Sequence, residues 1–320
     1  MRYGSTYGSG CVLAAAVLWG TTGTAAALAP GVGSLAVGAA AMGVGGLLQA
    51  AAALGVMRTH RAGLAAQWRT LAVAAAAVAV YPLAFYSSMR LAGVAVGTVV
   101  SIGSAPMAAA LIERAVDRQP LSRRWALGAA AGVLGVLALA LARPDTAEPA
   151  AGTSGAQPLL GIALGLLAGV TYALYSWGAA RTMRRGLPSR PVMGAVFGAG
   201  GVLLLPVLLL TGAPILAAWQ DFAVVAYLAL VPMFVGYVLF GRGLAAVSAS
   251  TATTLSLLEP AVAAVIAVLV LHERLSALGW VGMGVLLASL VVLTADSRRQ
   301  ESDPAGTSSP GPSRAVAALP

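Results

Sequence analysis

A single carboxylic acid, Glu259, lies inside a long apolar stretch, with about a dozen mostly apolar residues on each side. An ionisable group deep in a hydrocarbon layer costs about 2.5 kcal/mol or more unless it faces a polar interior or is protonated. We therefore predict that Glu259 faces a central cavity, where it binds a cationic substrate or carries a proton. The alternative is structural: a protonated Glu259 would donate to a backbone carbonyl that Pro260, which has no amide hydrogen, leaves free.

Aromatic and hydroxyl side chains in other apolar stretches are a second group of candidates for this cavity. Tyrosine and tryptophan combine a flat apolar face with one polar tip, which suits small molecules of mixed polarity. The predicted lining residues are Trp19, Thr21, Tyr81, Tyr172 and Tyr237. Tyr86 and Trp177 lie near the ends of their stretches, and we expect them in the aromatic belt at the membrane surface instead.

These residues lie in a chain with the composition of a membrane protein. Its 320 residues are 59% hydrophobic and 9% charged, with a mean hydropathy of +0.88, whereas soluble domains carry about 25% charged residues. The net charge of +9 comes from short arginine clusters between apolar runs, which argues against nucleic acid as a partner. A spanning helix needs about 20 apolar residues. Ten such spans are predicted, at 11–29, 34–57, 71–89, 93–112, 125–142, 158–180, 191–211, 222–241, 246–270 and 277–295.

The arginines predict how these spans are oriented. With a cytoplasmic N-terminus, the cytoplasmic segments carry Arg58, Arg61, Arg69, Arg114, Arg118, Arg123, Arg124, Arg181, Arg184, Arg185, Arg190, Arg242, Arg298 and Arg299. The opposite side carries only Arg90, Arg143 and Arg274. This bias predicts a plasma or inner membrane protein with both termini in the cytoplasm. A signal peptide cleaved near Ala29 is an alternative, but its removal would break the symmetry described next.

The two halves of the chain share a register. Three residues recur 154 positions later: Pro106 as Pro260, Leu121 as Leu275 and Gly128 as Gly282. Five spans per copy is an odd number, so the second copy must enter the membrane in the opposite sense, as in many secondary transporters. We predict an all-α fold of two inverted five-helix repeats. Its parts are a cytoplasmic N-terminus (1–10), a first repeat (11–142), an extracytoplasmic linker (143–157), a second repeat (158–295) and a disordered cytoplasmic tail (296–320).

Pro106 and Pro260 occupy equivalent positions in the fourth and ninth spans. Proline removes one hydrogen bond from a helix and clashes with the preceding turn. We predict that both helices are kinked or broken where they line the cavity. The alternative is a kink that serves only helix packing.

The residue types for metal binding or catalysis are sparse. The only cysteine is Cys11, and the two histidines, His60 and His272, cannot build a zinc site with it. An intramembrane enzyme would need paired aspartates, a Ser/His pair or metal ligands within spans, and Glu259 is the only acid in mid-span. We predict no metal, no cofactor and no enzymatic activity.

The second half also carries a family motif. Ser256-Leu257-Leu258-Glu259-Pro260, followed by an apolar run and Leu271-His272-Glu273-Arg274-Leu275, resembles the second repeat of EamA-type transporters, in the drug/metabolite transporter superfamily. Leu18-Trp19-Gly20 and the duplicated five-helix unit match as well. The resemblance covers roughly residues 10–142 and 158–295, and it implies a secondary transporter, commonly an exporter of small metabolites or drugs.

The first repeat departs from the family pattern. Where the family usually has an acidic residue after the fourth helix, this chain has Gln119, opposite Glu273 of the second repeat. Glu113 and Asp117 are close in sequence but out of register. Glu273 and Arg274 are a candidate gate at the outer end of the ninth span. The alternative is an end-cap ion pair, which contributes little when exposed.

Taken with the resemblance, these features predict a transporter that works by alternating access around a mid-membrane cavity. Its expected partners are a small-molecule substrate and the lipid bilayer, with coupling to a proton or ion gradient or to the substrate's own gradient. It would act as a monomer or homodimer. The alternatives are a non-transporting membrane scaffold or receptor and an intramembrane enzyme.

Overall fold

The structure, a computed structural model, describes residues 4–92, 94–118, 123–141, 156–270 and 277–302. Every regular element in these ranges is helical, as expected where hydrocarbon offers no partner for backbone polar groups. The first half contains α1 (Ser5–Gly20), α2 (Thr22–Ala27), α3 (Ser34–Thr59), α4 (Arg61–Ala66), α5 (Trp68–Ala92), α6 (Val94–Val116) and α7 (Arg123–Leu141).

The second half is more interrupted than the first. It contains α8 (Ala156–Arg184), α9 (Ser189–Thr211), a 3-10 turn (Ala213–Leu216), α10 (Trp219–Leu228), a π-helix (Ala229–Gly236), α11 (Tyr237–Leu244), α12 (Ala249–Leu255), α13 (Leu258–Val270) and α14 (Ala277–Ser302). The π-helix continues α10 into α11, so that these three elements form one long segment. By contrast, Ser256 and Leu257 separate α12 from α13.

Seven helical segments among the described residues are long and apolar enough to cross a membrane. They are Ser5–Ala27, Ser34–Thr59, Trp68–Ala92, Gly97–Val116, Leu159–Arg184, Ser189–Thr211 and Trp219–Leu244. Large apolar side chains such as Leu209 and Leu210 stay exposed on these helices, which is normal for a surface that faces lipid. The chain is an all-helical integral membrane protein, as the composition predicts.

Helix contacts recur in corresponding pairs across the two halves. Extensive contacts join α3 to α9 and α7 to α14. The contact of α5 with α8 has a counterpart in the contacts of α1 with the π-helix and α11. Likewise, the contact of α6 with α8 has a counterpart in that of α1 with α13. These contacts join the first half of the described chain to the second half.

The two predicted proline breaks differ in the structure. α6 runs through the buried Pro106 without interruption, whereas the helix of Pro260 is divided just before it, at Ser256 and Leu257. At the other boundaries, α14 extends to Ser302, beyond the predicted end of the last span at 295. Residues 142–155 and 303–320, which hold most of the linker and the tail, lie outside the described residues.

Gly20 allows α1 to approach α13 closely. A Cβ atom at Gly20 would lie 2.6 Å from Val262 Cβ and 3.0 Å from the backbone oxygen of Glu259. Real Cβ atoms do not come that close to a carbon, so α13 would have to move. Gly20 therefore helps to set the position of Glu259.

Replacing Gly20 by alanine is expected to destabilise the protein by about 1–3 kcal/mol, the usual cost of overpacking. Gly10→Ala is the matched control, because Gly10 lies on the same helix and a Cβ there would meet nothing within 4 Å. Thermal midpoints of the purified proteins in detergent provide the comparison. Equal midpoints for the two variants would contradict the close approach.

Candidate functional site

A cavity with about 410 Å³ of empty space lies between the two halves. Most of its wall is apolar or aromatic, and eight helical elements contribute to it. It is lined by Trp19, Thr22, Gly38, Ala41, Met42, Tyr81, Pro82, Phe85, Tyr86, Tyr172, Met233, Tyr237 and Glu259. A largely apolar cavity with a few polar groups is the usual form of a small-molecule site.

The helix break before α13 positions Glu259. The Leu257 amide donates to the Thr254 carbonyl at 3.1 Å, and the Glu259 amide donates to the Ser256 carbonyl at 3.0 Å. The Ser256 hydroxyl donates to the Thr253 carbonyl at 2.7 Å. Backbone groups at the break thus find local partners, and Glu259, in the first turn of α13, is half-buried at the cavity wall.

Trp19 joins α1 to the π-helix. Its indole N–H donates to the backbone oxygen of Pro232 at 2.9 Å, in a buried environment. Gly236 makes room for the ring, since a Cβ there would lie 2.8 Å from Trp19 Nε1. π-helical turns are rare and frequently found at functional sites. Here the wider turn and the indole together form one wall of the cavity.

Replacing Trp19 by phenylalanine is expected to lower the free energy of unfolding by about 1–3 kcal/mol. The change removes the donor to a buried carbonyl and part of a buried ring. Trp68→Phe is the control, because Trp68 is 61% exposed. Unfolding in detergent compares the two variants, and a Trp19→Phe protein as stable as the control would count against the role of this hydrogen bond.

A layer of four aromatic side chains packs beside the cavity, which Tyr237 also lines; we call Tyr175, Tyr237, Phe197 and Phe240 the aromatic floor. The rings of Phe197 and Tyr237 pack at a tilt of 43° with centroids 4.4 Å apart, and the Tyr175 and Tyr237 hydroxyls are 2.8 Å apart. All four side chains are buried. Aromatic rings in tilted and edge-to-face contact at such distances stabilise each other beyond their area burial, so the floor is closely packed.

Beyond the floor, Glu113 of α6 holds the first turn of α12. Its side chain is 1% exposed, and its carboxylate accepts hydrogen bonds from the amides of Ala249 at 2.8 Å and Ser250 at 3.3 Å. The Ser248 hydroxyl accepts from the Thr251 amide at 3.2 Å. Three amides that a helix start leaves without intrahelical partners are thus satisfied, two of them by a carboxylate from the other half of the chain.

One turn later, Asp117 holds the end of α8. Its carboxylate pairs with Arg181 and with Arg184, whose Nη2 lies 2.8 Å from Asp117 Oδ2. The Trp177 indole donates to the same oxygen at 2.8 Å. We call Glu113 and Asp117 the acidic clamp, because together they connect α6 to α8 and α12.

The structure brings five of the predicted cavity residues together and leaves others apart. Trp19, Tyr81, Tyr172, Tyr237 and Glu259 all line the cavity. Thr21 does not; it bonds the Leu18 carbonyl at 2.7 Å and contacts the Tyr227 hydroxyl at 2.8 Å on the outside. Its neighbour Thr22 faces inward instead, because consecutive helical residues point in different directions.

Tyr86 is a correction to the sequence analysis. It was expected in the membrane-surface belt, yet it is buried and lines the cavity. Its hydroxyl has no hydrogen-bond partner among the described residues. Pro106 and Pro260 are buried but are not part of the lining. Glu273 and Arg274, the candidate gate, lie outside the described residues.

The described part of the chain holds no group of three or more histidine, cysteine or acidic residues that could bind a metal ion. Its ionisable groups are instead dispersed. Glu259 lies at the cavity, and the acidic clamp lies beyond the floor with its carboxylates already paired.

The fold is that of a helical membrane protein with a cavity between the two halves of the chain, and comparison with known proteins identifies its class. Residues 159–295 match the model of the EamA-like transporter family. The chain is 32% identical over 292 residues to a Bacillus subtilis protein named uncharacterized transporter YwfM, covering 91% of this chain and 95% of that one. The chain belongs to the EamA-like transporter family.

More distant relatives extend the likeness. Protein PecM of Dickeya dadantii is 27% identical over 243 residues, covering 74% of this chain and 78% of PecM. A solved crystal structure superposes with a TM-score of 0.72 at 18% identity, covering 92% of this chain and 98% of that one. At that identity the structural likeness shows the fold alone. By family, the chain is thus a membrane transporter.

Proposed function

We propose that this protein is a secondary transporter that exports a small metabolite or drug by alternating access, with Glu259 at the centre of the substrate site. The observation that carries the proposal is the position of Glu259 in the wall of the enclosed cavity. The nearby α12–α13 break resembles the discontinuous helices that form many transporter sites.

The recurring helix contacts support ten spans in two inverted repeats. Adding α7, α12 with α13, and α14 to the seven long spans gives ten. If each helix of the second repeat is equivalent to the one five places earlier, α3–α9 and α7–α14 are contacts between equivalents. The same equivalence converts the α5–α8 contact into the contacts of α1 with the π-helix and α11. It also converts the α6–α8 contact into the α1–α13 contact. A two-fold axis in the membrane plane requires such pairs.

The arginine bias supports a cytoplasmic location for the acidic clamp. Tyr172 in the cavity lies nine residues before Arg181 on α8, which is about 13 Å along a helix. The aromatic floor lies between them. In this orientation the floor and the clamp close the cavity toward the cytoplasm.

Alternating access then requires the clamp to open. In the inward-facing state, α6 would separate from α8 and α12, which would expose the cavity to cytoplasmic substrate. Reclosure of the clamp and the floor would deliver the substrate to the outside. In the alternative of a non-transporting scaffold, Glu259 would have only a structural role beside Pro260.

Metabolite profiling tests the proposal in cells that lack or overproduce the protein. An exported substrate is expected to accumulate inside the first and outside the second. Overproduction of the expressed protein with no change in any intracellular or extracellular metabolite, and with no change in resistance to a panel of toxic compounds, would favour the scaffold.

A further inference from the structure

The described lining of the cavity contains an acidic side chain but no basic one. Among the described residues that line it, Glu259 is the only charged type, and none is arginine, lysine or histidine. The nearest ion pairs given by the structure belong to Asp117, beyond the aromatic floor. A carboxylate in such a site attracts a positive ligand and repels an anion.

The rest of the wall offers aromatic faces. The rings of Trp19 and Tyr237 are 4.8 Å apart, those of Tyr81 and Tyr172 are 5.6 Å apart, and Trp19 meets Tyr172 edge-on at 6.3 Å. Together these four rings surround part of the space that Glu259 faces. Clusters of aromatic rings bind quaternary and other organic cations through their negative faces.

Few other polar groups are available to a ligand. The Thr22 hydroxyl already donates to the Trp19 carbonyl, whereas the Tyr86 and Tyr172 hydroxyls are buried and without a hydrogen-bond partner among the described residues. A sugar or other highly hydroxylated molecule would lose its hydration and find few protein groups to replace it, which is costly. A ligand with one charge and few further polar atoms fits this wall.

We infer that the substrate is a monovalent organic cation with a flat, apolar body, held by Glu259 and the rings of Trp19, Tyr81, Tyr172 and Tyr237. This inference rests on the proposed function and names the class of molecule moved. Because most of the wall is apolar or aromatic, a small, flat ring system fits it better than a long or hydroxylated chain.

Binding of matched two-ring probes to the purified full-length protein tests this class. The probes are cationic N-methylquinolinium, neutral 4-methylquinoline and anionic 1-naphthoate, measured by calorimetry in detergent, with phenyltrimethylammonium as a second cation. The cations are expected to bind at least about tenfold more tightly than the neutral and anionic probes. The preference should disappear in Glu259→Gln and persist in Asp221→Asn, which removes a carboxylate outside the cavity lining.

Equal affinity for the neutral probe, tighter binding of the anion, or no binding of either cation would overturn the inference. Flux in proteoliposomes separates this failure from that of the proposed function. If the protein moves neutral or anionic compounds, it remains a transporter and only the substrate class is wrong. If it moves no member of a broad panel of metabolites and drugs, under any ion gradient, the proposed function fails as well.

Discussion

Glu259→Gln is expected to reduce the initial rate of substrate efflux about a hundredfold while leaving expression and folding unchanged. Glutamine has nearly the same size and keeps a carbonyl oxygen, but it can neither carry a negative charge nor exchange a proton. Removing one partner of a buried charged contact costs about 2–5 kcal/mol. At about 1.4 kcal/mol for each tenfold change, a loss near 3 kcal/mol corresponds to the expected rate.

Two companion variants show whether the carboxylate itself matters. Glu259→Asp retains the charge on a shorter side chain and should keep measurable efflux, whereas Asp221→Asn, outside the cavity lining, should behave as the wild type. Efflux is measured from loaded cells or proteoliposomes with equal amounts of protein in the membrane. A Glu259→Gln protein with wild-type efflux would remove Glu259 from the mechanism and return it to a structural role beside Pro260.

Glu113→Ala is expected to lower the free energy of unfolding by about 2–4 kcal/mol. The substitution leaves the buried amides of Ala249 and Ser250 without their acceptor, and each unsatisfied buried donor costs about 1–3 kcal/mol. Glu113→Gln, which keeps one acceptor oxygen, should lose less. Denaturation in detergent measures both variants.

Arg114→Ala is the control for this prediction, because Arg114 is the next residue along α6 and is exposed. It should stay within about 0.5 kcal/mol of the wild type, as most surface substitutions do. If Glu113→Ala were no less stable than Arg114→Ala, the acidic clamp would not hold α12. In the transport cycle, a weakened clamp should also favour the state that is open to the cytoplasm.

The sequence was informative wherever a residue was unusual for its surroundings. An acid in mid-span must face a cavity because lipid penalises it, and the structure places Glu259 in a cavity wall. Trp19, Tyr81, Tyr172 and Tyr237 lie around the same space, since deep aromatic residues with a polar tip favour an interior. Composition alone predicted the helical membrane fold.

Other features depend on geometry that the sequence pattern does not carry. Thr21 and Thr22 differ by one helical step, and the hydrophobic pattern does not separate them. Glu113 is out of register with Glu273, so the repeat pattern does not single it out. Its carboxylate binds backbone amides of the other half, and such contacts do not depend on an equivalent residue in the second repeat. The distance of Tyr86 from the span end predicts a place in the belt. Its contacts depend instead on the face of α5 that carries it, and that face lines the cavity.

The π-helix was also missed. Pro232 within an apolar run was the available signal, since proline disturbs the regular helical hydrogen bonds. The residues around Pro232 did not indicate that the helix would widen into a π-helix instead of kinking. The partner that fits this turn, Trp19, lies 213 residues away in the chain.

The Glu259 cavity is expected to open alternately to the two sides of the membrane. Single-cysteine accessibility measures this directly in a Cys11→Ala background, with Ala41→Cys as the reporter because Ala41 lines the cavity. A membrane-impermeant maleimide is applied from each side in turn. We predict labelling from both sides, slowed by substrate on each side, with Glu113→Ala increasing the rate from the cytoplasmic side. The opposite result would be labelling from one side only in a protein that still transports, unchanged by substrate and by Glu113→Ala. That result would contradict alternating access.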